Sequence, residues 1–137
     1  MKNMKRFTNW LFLEKSAGVS FLAIALAAVL TAAGTAQAAT ISKTDNTDNL
    51  NLTTSWVGGV VPSTNDIAWW TNTVTAANST VLGANQSWYG IRISNPGGLV
   101  TIGGANTLTL GTNGINMTLA TQNLTLNCGL TLRNTGK

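Results

Sequence analysis

From Ile91 to Leu132 the chain repeats one pattern, aliphatic side chains on alternate positions: Ile91/Ile93, Val100/Ile102, Leu108/Leu110, Ile115/Met117/Leu119, Leu124/Leu126 and Leu130/Leu132. A period of two belongs to a β-strand with one buried and one wet face. The positions between are Thr, Asn and Ser. The breaks are Gly and Asn, the residues that most readily accept positive backbone angles. Short strands at near-even spacing predict a repetitive all-β structure.

Counting tests the repeat unit. If three strands make one turn of a coil, Ile91 pairs with Ile115, Val100 with Leu124 and Leu108 with Leu130, at separations of 24, 24 and 22. A two-strand unit instead aligns LTLGTNG (108–114) with LTLNCG (124–129) at a spacing of 16. Either unit gives a parallel solenoid whose rungs lie about 4.8 Å apart around an aliphatic core. The three agreeing pairs favour the longer turn, which fits about three rungs into residues 67–137, near the minimum for a repeat array. The competing architecture is an antiparallel β-sandwich, for which Asn113-Gly114 and Gly103-Gly104 supply candidate hairpin turns.

Residues 1–38 read as an export leader, a signal-peptide helix removed from the mature protein. Lys2, Lys5, Arg6 and Lys15 form a basic flank, residues 17–33 are apolar, and Ala36-Gln37-Ala38 followed by Ala39 offers the small residues of a cleavage site. An uncleaved anchor is the alternative, since an apolar run of about 17 residues is at the lower limit for spanning a membrane.

Without the leader the cations are Lys43, Arg92, Arg133 and Lys137 and the acids Asp45, Asp48 and Asp66: four against three, a net charge of +1. No basic stripe is left for nucleic acid, and the membrane is met only through the leader. Asn and Thr supply 33 of the 99 residues after Ala38, a polar but uncharged complement suited to outward strand positions. Cys128 is the only cysteine. It has no intramolecular partner and reads as a small turn residue.

Residues 39–66 form a polar lead-in and capping segment with a weak strand at Leu50/Leu52, and 67–137 the repeats. Gly58-Gly59 and Pro62 force turns, and Asp66 is placed to accept hydrogen bonds in one. Trp56, Trp69, Trp70 and Trp88 cluster near this boundary. They have two readings: a lid on the apolar end of the solenoid, or a platform for sugar rings with Trp70, Trp88 and Tyr89 as the candidate glycan contacts. Trp69 and Trp70 are adjacent, so only one of them faces a strand's core.

The string TSWVGGVVPSTNDIAWW (54–70), followed by the Asn/Thr/Gly-rich strands, resembles the N-terminal portion of proteins with autotransporter-associated β-strand repeats. The matching positions are Trp56, Gly58, Gly59, Pro62, Asp66, Ala68 and Trp69, and the likeness extends over most of residues 50–135. The resemblance implies a right-handed parallel β-helix, secreted or held on the outer surface of a Gram-negative-type cell, in a passenger or stalk with a structural or adhesive role. Members of that family end in a β-barrel or a sorting tail. This sequence stops at Lys137 in mid-repeat, which predicts a fragment, or a chain whose last rung is covered by another molecule. Self-association through that rung and contact with a surface polysaccharide are the expected partnerships.

Chemistry is scarce. His is absent, and no Glu follows the leader, so the usual general base is missing. The stretch KTDNTDN (43–49) partly resembles a Ca²⁺ loop but lacks the Gly and the bidentate Glu of an EF-hand. No metal, no cofactor and no catalytic residue is expected, and the chain reads as a non-enzyme. The alternative to a stalk is a small secreted carbohydrate-binding module using exposed Trp.

Overall fold

The computed structural model describes residues 37–133. Residues 1–36, which hold most of the expected leader and Ala36 of the expected cleavage site, lie outside the described residues. Six strands form one parallel sheet that winds from coil to coil: β1 (Ala39–Ser42), β2 (Asp66–Trp70), β3 (Asn78–Val81), β4 (Gln86–Ile93), β5 (Val100–Asn116) and β6 (Leu124–Leu132). A single 3-10 turn, Thr53–Ser55, interrupts the lead-in. Every strand pairing is parallel, so the architecture is a β-solenoid and the sandwich is excluded.

Strand register confirms the 24-residue unit over the 16-residue one. Ile91 lies opposite Ile115, Val100 opposite Leu124 and Leu108 opposite Leu130. The mixture of 22 and 24 has a local cause at the corners. Tyr89 alone spans the bend that takes Gly111, Thr112 and Asn113 in the next coil. At another corner, Cys128 alone faces the three-residue bend 104–106. Gly104 and Gly114, with φ of 103° and 55°, turn the chain between faces of a coil within β5 rather than closing hairpins, which is why the Gly-containing pairs misled towards a sandwich.

The coils number about four, one more than the sequence count. The extra one begins at Ala39–Ser42, assigned to the lead-in, which pairs in parallel with Asp66–Trp69. A β1 strand with so little aliphatic content carries no alternation to find.

Inward side chains stack in columns because each rung repeats the register of the one before. Ala68 underlies Ile91, Trp70 underlies Ile93, and Trp88 underlies Leu110. All six are buried, as are Leu82, Val100, Ile102 and Leu108. At roughly 1.5–3 kcal/mol for each fully buried aliphatic side chain, this column packing is the main stabilising term. Turns stack as well as strands. A Cβ on Gly97 would lie 2.0 Å from the Thr75 carbonyl oxygen of the coil before, so only glycine allows the two backbones to meet there.

One inward position is mismatched. Thr80 sits under Ile102, nearly fully buried, and its hydroxyl has no hydrogen-bond partner among the described residues. A buried hydroxyl left unpaired costs about 1–3 kcal/mol. Thr80→Val is therefore expected to raise the unfolding free energy by about 1 kcal/mol, whereas Gly97→Ala lowers it by about 1–3 kcal/mol through backbone collision. Urea denaturation followed by Trp fluorescence measures both. A destabilised Thr80→Val or a neutral Gly97→Ala would contradict the column and turn packing.

Candidate functional site

Three of the four clustered indoles close the first coil. Trp56 meets Trp70 and Trp88 edge-on, with ring centroids 5.7 Å apart in each pair, the arrangement aromatic quadrupoles favour. Trp56 Nε1 donates to the Leu50 carbonyl (2.9 Å), and Trp70 Nε1 to Asn78 Oδ1 (3.1 Å). Trp70 is 0% and Trp88 1% exposed. Two of the three expected glycan contacts are thus core residues, with no ring face left for a sugar, and the lid reading holds for them. Tyr89, the third, is half-buried at the tight corner of β4.

The lid is locked by a buried cation. Lys43 is fully buried. Its ammonium donates to the Asn46 side-chain oxygen (2.6 Å), the Asn46 carbonyl (2.8 Å) and the Thr44 carbonyl (3.1 Å). Three N–H donors thus meet three oxygens, which is all an ammonium can satisfy. The Asn46 carbonyl also accepts from Asn78 Nδ2 (2.8 Å), so a continuous chain of hydrogen bonds runs from Lys43 through Asn46 and Asn78 to Trp70. The KTDNTDN loop therefore wraps around its own side-chain ammonium. Among the described residues, no three His, Cys, Asp or Glu side chains converge on a point.

The three carboxylates are engaged locally. Asp45 accepts from the Thr75 hydroxyl, and Asp48 from Thr54 Oγ1 (2.6 Å) and Asn46 Nδ2 (3.3 Å). Asp66 accepts from the Ser63 hydroxyl and backbone N–H, the turn role expected of it. Thr73 donates to the Lys43 carbonyl and Thr75 to Asp45, so both tie the 71–75 segment to the lid. Cys128 packs partly buried against the core, and burial pushes its thiol up, away from the reactive thiolate.

Sequence reasoning missed the outward indole. Trp69 is the residue of the adjacent pair that faces away from the core, half-buried, with Nε1 donating to Ser94 Oγ (2.8 Å). The guanidinium carbon of Arg92, its register partner on β4, lies 5.2 Å from the Trp69 ring centroid, within cation–π range. Ser42, Trp69, Arg92 and Asn116 form one outward column across four rungs. Of the residues expected to flank a cleavage site, Ala38 directly precedes β1 and Ala39 opens it.

Burial lowers the Lys43 pKa to about 8 from an ordinary 10.5, against the opposing pull of Asp48 and then Asp45. Below pH 8 the amine is charged in both the folded and the unfolded chain, and the burial penalty is fully present. As pH rises from 8 to 10.5, the unfolded chain binds the extra proton, so the penalty is relieved and stability climbs. The ¹³Cε resonance of Lys43 is expected to titrate near pH 8, and the stability difference between wild type and Lys43→Met to change across that window. A midpoint at the free-lysine value would contradict the buried site. No protein-family model, no curated protein and no solved structure matches this chain.

Proposed function

We propose that the chain is a non-enzymatic β-helical passenger or stalk segment, exported and displayed outside a Gram-negative-type cell in a structural or adhesive role. The observation that carries this reading is the register itself. Coil after coil repeats the same inward column, while the outward positions hold mostly uncharged Thr, Asn and Ser. Such a frame extends by adding rungs and offers a stiff support for surface groups. The Trp56 to Trp69 set of the family resemblance fits a lid: Trp56 and Pro62 are buried, Gly58 and Gly59 have φ of 84° and 68°, and Asp66 ties its turn. Among the described residues each of the three carboxylates accepts a hydrogen bond from a neighbouring hydroxyl, which fits a structural role for them.

Among the described residues, the end opposite the lid carries the same columns with no further rung stacked on them. Ile115 is 41% exposed where Ile91 is 0%, and Leu132 is 63% exposed where Leu110 is 0%. Among the described residues, β6 also offers a strand edge to any further strand. This end would take another rung of like chemistry, and in the isolated chain that rung would come from a second copy.

Sedimentation velocity tests this directly. Association at tens of micromolar, reduced by at least tenfold in Leu130→Lys/Leu132→Lys, is expected, and a monomer under those conditions would contradict it. Export is tested by protease treatment of intact cells of the source organism. Digestion from outside is expected, and full protection until lysis would overturn the surface assignment.

A further inference from the structure

We propose that the outward Trp69–Arg92 strip is a binding site for an acidic polysaccharide, one whose sugar rings carry carboxylates. Three features of the strip lead to this ligand. The first is the state of Arg92. Its side chain stands on the solvent side of β4 over the Trp69 ring. The three acids that follow the leader are all held elsewhere, Asp45 by Thr75, Asp48 by Thr54 and Asn46, and Asp66 by Ser63. Arg92 thus keeps its forked N–H donors for an outside acceptor, and that fork matches a carboxylate through two parallel hydrogen bonds.

The second feature is preorganisation. Trp69 is pinned by its hydrogen bond to Ser94 and in turn supports the guanidinium from behind. A cation fixed in this way loses little rotamer freedom on binding. Trp69 also contributes apolar ring surface beside the charge, which a bare inorganic anion would not use and a sugar ring would.

The third is the ground beside the strip. The neighbouring outward column is Ile67, Gly90 and Gly114, so two of its three positions have no side chain to crowd Arg92. A Cβ on Gly114 would have no atom within 4 Å, and one on Gly90 would meet the Asn113 amide at 2.7 Å. Gly90 is buried beneath Asn113, so the ground beside Arg92 is formed by Asn113, with Asn116 next in the Arg92 column, and the amides of both are groups able to bond sugar hydroxyls. Rungs repeat at about 4.8 Å, close to the advance of one sugar ring along a glycan chain. A polymer laid along the solenoid axis would then set successive rings against Trp69, Arg92 and Asn116.

The test is affinity electrophoresis of the purified protein in gels containing polygalacturonate or a neutral glucan, with circular dichroism as the check on folding. Retardation by polygalacturonate alone is expected, weakened by salt. Arg92→Gln, on the solvent face, should keep the fold and lose binding by about tenfold or more, and Trp69→Ala should lose it similarly. Tyr89→Phe should bind like wild type. Absence of retardation, equal retardation by the neutral glucan, or unchanged binding in Arg92→Gln would each overturn the proposal. None of these results bears on rung stacking or export, so the stalk reading stands or falls separately.

Discussion

Parallel pairing of each coil with the next, residue over equivalent residue, is the constraint on which everything else in this protein depends. Once Val100 is fixed over Asn78 and under Leu124, inward positions become columns and outward positions become rows. Hydrophobic burial then acts along the axis: a residue such as Ile102 is covered by the rungs on both sides of it, not by a second sheet. The hydrogen-bonded spacing is rigid, so differences in coil length are expelled to the corners. That is why the three-residue bend at Gly111–Asn113 lies against Tyr89 alone, and why Cys128 occupies a tight corner.

A stack needs ends as well as a middle. At the first coil the solution combines apolar and polar elements. Trp56 packs edge-on against Trp70 and Trp88, the indole N–H of Trp70 donates to Asn78, and the loop around Lys43 supplies the carbonyl that the Asn78 amide requires. The arrangement is tight but not fully satisfied, because Trp88 Nε1 has no partner among the described residues. At the other end Ile115, Leu130 and Leu132 remain exposed. The two ends therefore differ in kind: one is closed by its own chain, while the other has the chemistry of an interior.

Much of this was legible in the sequence. The separations of 24, 24 and 22 between aliphatic pairs were the true register, because a solenoid writes its pairing into sequence spacing. The same spacing sorts only one of the tryptophans: a shift of 22 puts Trp88 on Leu110, whereas β2 lies 23 residues before its partner strand, with Trp70 on Ile93 and Trp69 on Arg92, and neither 22 nor 24 reproduces that register. An indole aligned with an aliphatic column is core, and one aligned with a charged residue is surface. That rule marks Trp88 as core from the spacing alone, while the Trp69–Trp70 pair is sorted only by the one-residue offset of β2 seen in the structure. The Lys43 lock had no such signal. A lysine in a polar stretch normally stays solvated, and the oxygens around it are gathered by the fold of the loop and by Asn78, thirty-five positions away.

The central claim is that successive coils lie parallel and in register, and through-space proton contacts measured by NMR test it most directly. Amide and Hα contacts should link Val100, Thr101 and Ile102 to Leu124, Thr125 and Leu126 in the same order, and Leu108–Leu110 to Leu130–Leu132 likewise. Close Hα–Hα pairs running in opposite order between these segments, the signature of antiparallel strands, would contradict the account.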